Sequence, residues 1–251
     1  MNDQEQWRVW GAETPYGETL YKRATGELPE MESSKKMAEE VARVFKPGDS
    51  VLDVGCGAGH YLRSLRRTLG PDFDYVGVDA TQHYVELAEK ANGRDARAKF
   101  KVGDVFAIPL EDQSFEVVMC NNVFLHLPSI AQPLRELVRV SRRSVFLRTL
   151  IGNRSFRIKD VHPQMPEFDE SGEPTGFHYY NIYSEAYVAS LLPPLKRVKA
   201  WTIKPDFDFD RQRILASMSD HKGAHDASGI VGDYQVNGYI LQPWSILEIT
   251  L

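Results

Sequence analysis

Residues 50–69 pass from a short apolar run, Ser50-Val51-Leu52-Asp53-Val54, through Gly55-Cys56-Gly57-Ala58-Gly59 into a segment where Tyr61, Leu62, Leu65 and Leu69 recur at helical spacing. A buried strand that turns sharply into an amphipathic helix opens a β-α-β crossover. The chain to residue 150 repeats that alternation. Strands are predicted over 73–78, 99–102, 115–120 and 144–150. Helix faces fall at Tyr84, Leu87, Ala88 and Ala91, and at Ile130, Leu134, Leu137 and Val138. An earlier helix over 32–45, striped by Met37, Ala38, Val41, Ala42 and Phe45, stops at Lys46-Pro47-Gly48. The fold class is therefore α/β: a doubly wound parallel sheet covered on both faces.

The flanks are less regular. Residues 1–30 are polar with scattered aromatics, Trp7, Trp10, Tyr16 and Tyr21 among them. Residues 151–182 mix prolines, glycines, charges and aromatics without a sustained period, as lids and binding loops do. A short helix over 184–192 ends at Pro193-Pro194. Strands are predicted over 198–203 and 244–251, separated by a second insertion over 205–242. The organisation read from this is a covering segment, 1–31, before one domain, 32–251, that carries both insertions. No internal repeat or low-complexity tract is present.

Composition narrows the partners. The 251 residues are 42% hydrophobic and 26% charged, enough for a sizeable core. The net charge of −5, from 35 acids and 30 bases, does not suit a phosphate-binding surface. The basic clusters Arg63, Arg66, Arg67 and Arg135, Arg139, Arg142, Arg143 read as solvated helix faces, so no nucleic-acid partner is expected. Two cysteines, Cys56 and Cys120, without a Cys-x-x-Cys spacing imply a reducing compartment. Neither a basic start followed by an apolar run nor an 18-residue apolar stretch is present, so the expected setting is cytoplasmic, without a membrane span.

Open α/β sheets bind ligands beyond the carboxyl ends of their strands, where strand order reverses. A glycine-rich turn there brings backbone close to a ligand, and the following helix N-terminus suits an anion. The spacing is Gly-x-Gly-x-Gly. His60 stands where a dinucleotide turn has its third glycine, and no Gly-Lys-Ser or Gly-Lys-Thr of a phosphate loop follows. Two acids sit at the next strand ends. Asp79 suits the two hydroxyls of a ribose, or else caps the next helix, for which Thr81 competes. Asp104, in Val102-Gly103-Asp104-Val105, suits an adenine amine, or else a turn.

This ordered set resembles the class I S-adenosylmethionine-dependent methyltransferases. It is similar, more narrowly, to the small-molecule branch (type 11 domain) that includes ubiquinone- and menaquinone-biosynthesis enzymes. The matching residues run from Val51 to Gly59, then Gly77-Val78-Asp79, Gly103-Asp104, Ile108-Pro109-Leu110, Gln113 to Val118, and Asn121 to His126. The resemblance implies a seven-stranded sheet whose last strand is antiparallel, with 198–203 and 244–251 as strands six and seven. It implies S-adenosyl-L-methionine as cofactor, S-adenosyl-L-homocysteine as product and a small-molecule methyl acceptor as partner. Asp53, Gly55, Cys56, Gly57 and Gly59 would face the methionine end. Asp79 would hold the ribose, with Ala80 beside the adenosine, and Asp104 and Val105 the adenine. Asn121, with Asn122 next to it, would turn its backbone carbonyl to the cofactor ammonium. Glu116 departs from the family, which usually has Asp after the phenylalanine; its place within a strand predicts little effect on the cofactor.

Methyl transfer is an in-line displacement that rests on positioning and needs a base only where the acceptor loses its proton early. His126, just past the fourth strand, is the candidate base. Tyr21 or Arg23 is expected to close the site, Arg23 against the methionine carboxylate. Residues 176–183 offer aromatic walls. Asp206, Asp208 and Asp210 would share one face of a strand, alternating with Phe207 and Phe209. His221 and His225 have metal-compatible spacing but no third ligand nearby, so no metal is expected. The competing readings are a protein or RNA methyltransferase, a catalytically inactive cofactor-binding subunit, and a nicotinamide dehydrogenase, which the glycine spacing disfavours.

Overall fold

The computed structural model describes residues 15–161, 168–174, 176–206, 228–231, 234–237 and 243–251. The chain opens with α1 (Pro15–Thr25), α2 (Glu32–Ala42) and β1 (Ser50–Val54). The alternation continues through α3 (His60–Leu69), β2 (Asp74–Asp79), α4 (Gln82–Asn92), β3 (Ala98–Val102), β4 (Phe115–Asn121), α5 (Ala131–Val140) and β5 (Ser141–Gly152). Then come β6 (Lys159–Val161), β7 (Phe177–Tyr179), β8 (Tyr183–Ser184) and α6 (Glu185–Ser190). The last strands are β9 (Ala200–Pro205), β10 (Ser228–Val231), β11 (Tyr234–Asn237) and β12 (Trp244–Thr250).

The main sheet has the order β3-β2-β1-β4-β5-β12-β9, with the two-residue β8 added beside β5. Strands β1 to β5 pair in parallel, and β12 lies antiparallel between β5 and β9. This is the expected seven-stranded path, with the antiparallel strand inside it and β9 at the edge. Order reverses between β1 and β4. Register aligns Val54 with Val78 and with Cys120, and Asn121 with Arg148, so β1, β2 and β4 end together while β5 runs on to Gly152.

Alternation along the strands divides the core. Leu52, Val54, Val118, Cys120, Val145 and Leu147 face α5 and α6, packing with Leu134, Leu137 and Val188. Val51, Val117, Met119 and Phe146 face the other way, onto Met37, Ala38 and Val41 of α2 and Tyr61, Leu62 and Leu65 of α3. In α3, Arg66 and Arg67 sit in the last turn, where cations complement the helix dipole, and Gly70 at φ 85° stops it.

Several boundaries differ from those predicted. The helix predicted over 32–45 ends at Ala42, because Val44 and Phe45 both donate to the Val41 carbonyl in a tight turn well ahead of Pro47. The fifth strand starts at Ser141 rather than 144, following α5 directly across an irregularity in the β4–β5 register. The strand predicted from 198 begins at Ala200, since the Val198 amide turns back to Leu195. Residues 151–182 contain antiparallel β6–β7 pairing, too short to produce a visible period. Part of 205–242 pairs as β10–β11. Residues 15–25, read only as polar, form α1.

Glu116 ties strands together. It accepts from the Ser50 amide at 2.9 Å and the Ser50 hydroxyl at 2.7 Å, and pairs with Arg142. Partial burial opposes its charge, yet the Ser50 and Arg142 hydrogen bonds bring its pKa down to about 2. Among the described residues, no helix is long and apolar enough to cross a membrane.

Candidate active site

A cavity of about 600 Å³ opens beyond the ends of β1, β2 and β4, at the reversal of strand order. Its floor is the glycine turn. Gly55, Gly57 and Gly59 have φ of 76°, 52° and 72°, left-handed values that favour glycine. A Cβ on Gly55 would stand 2.2 Å from Val123 Cγ2, so the turn closes against the β4 loop without room for a side chain. Gly55 and Gly57 line the cavity. Cys56 and Gly59 lie behind the cavity wall, Cys56 buried and Gly59 pressed on Asn92 and Phe100.

Four amides of this turn are committed within the protein. Gly55 and Cys56 donate to the Val78 carbonyl at 2.7 and 3.1 Å, and Gly59 to Cys56 at 3.0 Å. Gly57 donates to Asp79 Oδ2 at 2.9 Å. The other Asp79 oxygen accepts the Thr81 amide at 3.0 Å. Asp79 thus bridges two loops, and the Thr81 side chain and Ala80 backbone also hydrogen-bond to its carboxylate. Burial raises its pKa despite these bonds. Asp79 and the adjoining Ala80 line the cavity.

Asp53 does not line it. Its side chain is buried behind the turn, where Oδ2 accepts from the Tyr75 hydroxyl at 2.8 Å. Burial raises its pKa to about 7, against the lowering effect of Tyr75 and with a further push from Asp79. Asp104 turns back to accept the Phe106 amide at 2.8 Å, while its neighbours Gly103 and Val105 line the cavity. Asn121 and Asn122 also line it. The Asn121 amide is buried, and neither Nδ2 nor Oδ1 has a protein partner. Asn122 adopts φ 60°, held by its amide on the Arg148 carbonyl and by the Arg148 guanidinium on its Oδ1.

The roof is α1, which packs on α3 and α4 and presents Tyr16 and Leu20 to the cavity. Tyr21, expected to close the site, instead faces α4, its ring 4.9 Å from Lys90 Nζ. It falls on a different face from Tyr16 and Leu20. Arg23 does not line the cavity either; its Nε is buried without a partner.

His126 lines the cavity and closes the 3-10 turn Phe124–His126. Its Nδ1 lies 2.8 Å from the Tyr179 carbonyl and must donate to it, which leaves the lone pair of the neutral ring on Nε2. Burial lowers its pKa to about 4 despite that bond. Residues 176–183 supply neighbours, with the His178 and Tyr180 rings 5.9 and 6.1 Å from His126.

His60, Tyr61, His83 and Tyr84 also line the cavity and were not foreseen. His60 was visible in the sequence as the residue replacing a dinucleotide glycine. Asp206, at the head of the second insertion, is buried and pairs with Arg148 at 2.6 Å, while Arg148 stacks 4.0 Å over Trp244. Residues 207–210, His221 and His225 lie outside the described residues. Among the described residues, no cluster of three metal-ligating side chains occurs.

Residues 45–174 match a family model described as a methyltransferase domain. A Lactococcus lactis demethylmenaquinone methyltransferase is 26% identical over 76% of this chain and 69% of its own length. A Synechocystis 2-methyl-6-phytyl-1,4-hydroquinone methyltransferase is 38% identical over 38% of this chain and 29% of its own length. The chain spans 28% and 40% of the first two curated relatives it matches. An S-adenosylmethionine-dependent methyltransferase from Methanosarcina mazei shares the fold, with a TM-score of 0.51 and 17% identity over 84% of this chain and 97% of that one. The chain belongs to this methyltransferase-domain family, and its fold is that of the class I S-adenosylmethionine-dependent methyltransferases.

Proposed function

We propose that this protein transfers a methyl group from S-adenosylmethionine to a small-molecule acceptor. One observation carries the reading: a single cavity collects Gly55, Gly57, Asp79, Gly103, Val105 and Asn121 from the ends of adjacent strands. The residues fit the cofactor. Asp79 offers a carboxylate for ribose hydroxyls, and Val105 an apolar surface for adenine, with Asp104 beside it. The buried Asn121 amide lacks a donor and an acceptor that a bound ligand would supply. Gly55 and Gly57 bring bare backbone to the methionine end.

The bound cofactor supplies an electrophilic methyl group on a sulfonium. The chain's own residues do the rest by positioning the acceptor and excluding water. His126, neutral at physiological pH, receives a hydrogen bond or a proton on Nε2 from the acceptor. Relatives named for quinone and hydroquinone methylation support a small-molecule acceptor, and the cavity volume is in the ligand range.

Calorimetry with S-adenosylhomocysteine and with NAD tests the cofactor. Binding of the first alone is expected; binding of NAD alone would overturn the reading. Labelled methyl transfer from cofactor into a metabolite extract tests the acceptor class. Label appearing only in protein or RNA would reject the small-molecule assignment.

A further inference from the structure

We infer that Arg148 is a positioning residue for the methyltransferase site: its guanidinium holds Asn122 in the left-handed backbone that shapes the β4 corner of the cavity, an assignment that rests on the methyltransferase reading. Arg148 lies on β5, opposite Asn121 in the β4–β5 register, and does not itself line the cavity. Asn122, one residue past β4, does line it. Its φ of 60° is a conformation that asparagine tolerates and most side chains avoid. Arg148 holds it there from backbone and side chain together. The Asn122 amide donates to the Arg148 carbonyl at 3.0 Å, and Arg148 Nη1 donates to Asn122 Oδ1. The floor depends on this corner, because Val123, the next residue, packs where a Gly55 Cβ would stand. Relaxing Asn122 to negative φ redirects the chain on both sides of it, carrying Val123 off the glycine turn.

The guanidinium is itself fixed from outside the cavity. Its Nε and Nη2 both reach Asp206 Oδ2 at 2.6 Å, and its face stacks 4.0 Å from the Trp244 ring. Asp206 and Trp244 are tied to each other, the Asp206 amide donating to the Trp244 carbonyl at 3.0 Å. Neither lines the cavity. Three partners in different directions leave the planar fork one orientation, which the point charge of a lysine does not reproduce.

Stability alone accounts poorly for this arrangement. Arg148 and Asp206 are both buried, and Asp206 Oδ1 has no hydrogen-bond partner. A buried ion pair with an oxygen left over stabilises little, and apolar residues of similar volume often serve as well or better. What apolar residues lack is a donor aimed at Asn122. The charge also lies close to the cavity. Tyr61 lines it, and burial raises the Tyr61 pKa to about 12, with Arg148 the next influence and acting to lower it.

Calorimetric affinity for S-adenosylhomocysteine and stability in urea, measured side by side on the full chain, separate positioning from mere support. Arg148→Met alone strands a buried carboxylate, so the neutral pair Arg148→Met with Asp206→Asn is used, beside Arg148→Lys, Asn122→Ala and Asn122→Asp. The neutral pair and Asn122→Ala should each weaken S-adenosylhomocysteine by about fivefold or more, and combining them should add less than about twofold, because both remove the same contact. Asn122→Asp keeps an oxygen for Nη1 and tolerates the left-handed backbone, so its affinity should stay within about twofold of wild type. Arg148→Lys should recover part of the loss. A neutral pair that is less stable yet binds like wild type would overturn the positioning role, as would losses that add in full. The Asn122 variants leave the ion pair intact, so they decide the matter even if the Arg148 variants do not fold: unchanged affinity in Asn122→Ala, or equal losses in Asn122→Ala and Asn122→Asp, would also overturn it. Wild type that does not bind S-adenosylhomocysteine would overturn the cofactor reading as well.

Discussion

Asp79 and Gly57 are joined by a 2.9 Å hydrogen bond that fixes the glycine turn to the end of β2. The same carboxylate holds the Thr81 amide at 3.0 Å through its other oxygen. Asp79→Asn puts an amino group against one of those N–H donors. S-adenosylhomocysteine affinity is expected to fall at least about tenfold, by calorimetry, with the far-ultraviolet dichroism unchanged. Retained affinity would remove Asp79 from the cofactor site.

Gly55→Ala adds a Cβ at φ 76° and 2.2 Å from Val123 Cγ2. Destabilisation of about 1–3 kcal/mol is expected from urea denaturation. The double variant with Val123→Ala should regain the steric part and keep the backbone part. A double variant no better than Gly55→Ala would refute the contact.

The titrating groups around the site act in opposite directions. Asp53 has its folded pKa raised from 3.8 to about 7. Its contribution to stability is complete below about pH 4 and is lost as pH rises to about 7. His60 and His126 have folded pKa values lowered from 6.5 to about 3 and about 4. Their contributions are complete above pH 6.5 and are lost as pH falls through those values. Denaturation midpoints measured from pH 3 to pH 8 should lose the decline toward pH 7 in Asp53→Asn and part of the acid decline in His126→Gln. Identical profiles for wild type and variants would contradict these shifts.

His126→Ala should lower kcat on the acceptor while leaving S-adenosylhomocysteine affinity within about twofold. An unchanged kcat and pH profile would remove the imidazole from the reaction.

Arg148 and Asp206 are buried, with side chains 8% and 4% exposed. Arg148→Met strands the Asp206 carboxylate, and a loss of about 3–5 kcal/mol is expected in denaturant. Adding Asp206→Asn should restore part of it. Strict additivity of the two losses would mean that the pair is not coupled.

The alternation over residues 50–150 was legible because buried parallel strands read as apolar runs, and each is punctuated by a turn. The strand-end residues followed from position, since Asp79 and Asn121 need only the right strand to reach the cavity. The rotation of α1 was not legible. Its inward face rests on Leu20 and Ala24, too few apolar positions to distinguish Tyr16 from Tyr21, and its packing on α3 and α4 decides the matter. Asp53 lies off the cavity for a related reason. Strand alternation turns its side chain behind the turn toward Tyr75, away from the face that Val54 presents to the cavity. His60 stands out in the sequence for the glycine it replaces, and only burial shows that its Nδ1 lacks a partner.

The placement of β12 between β5 and β9 orders the events of synthesis. Among the described residues, the only sheet neighbour of β9 is β12, and β5 shows β12 the flank opposite β4. As the chain leaves the ribosome, β9 emerges some forty residues before the strand that must lie beside it. Until then β5 keeps a bare flank of amides and carbonyls, open to any stray extended segment. The cavity end of the molecule can assemble early, while the β9 side waits for one late strand to be threaded between two that are already made.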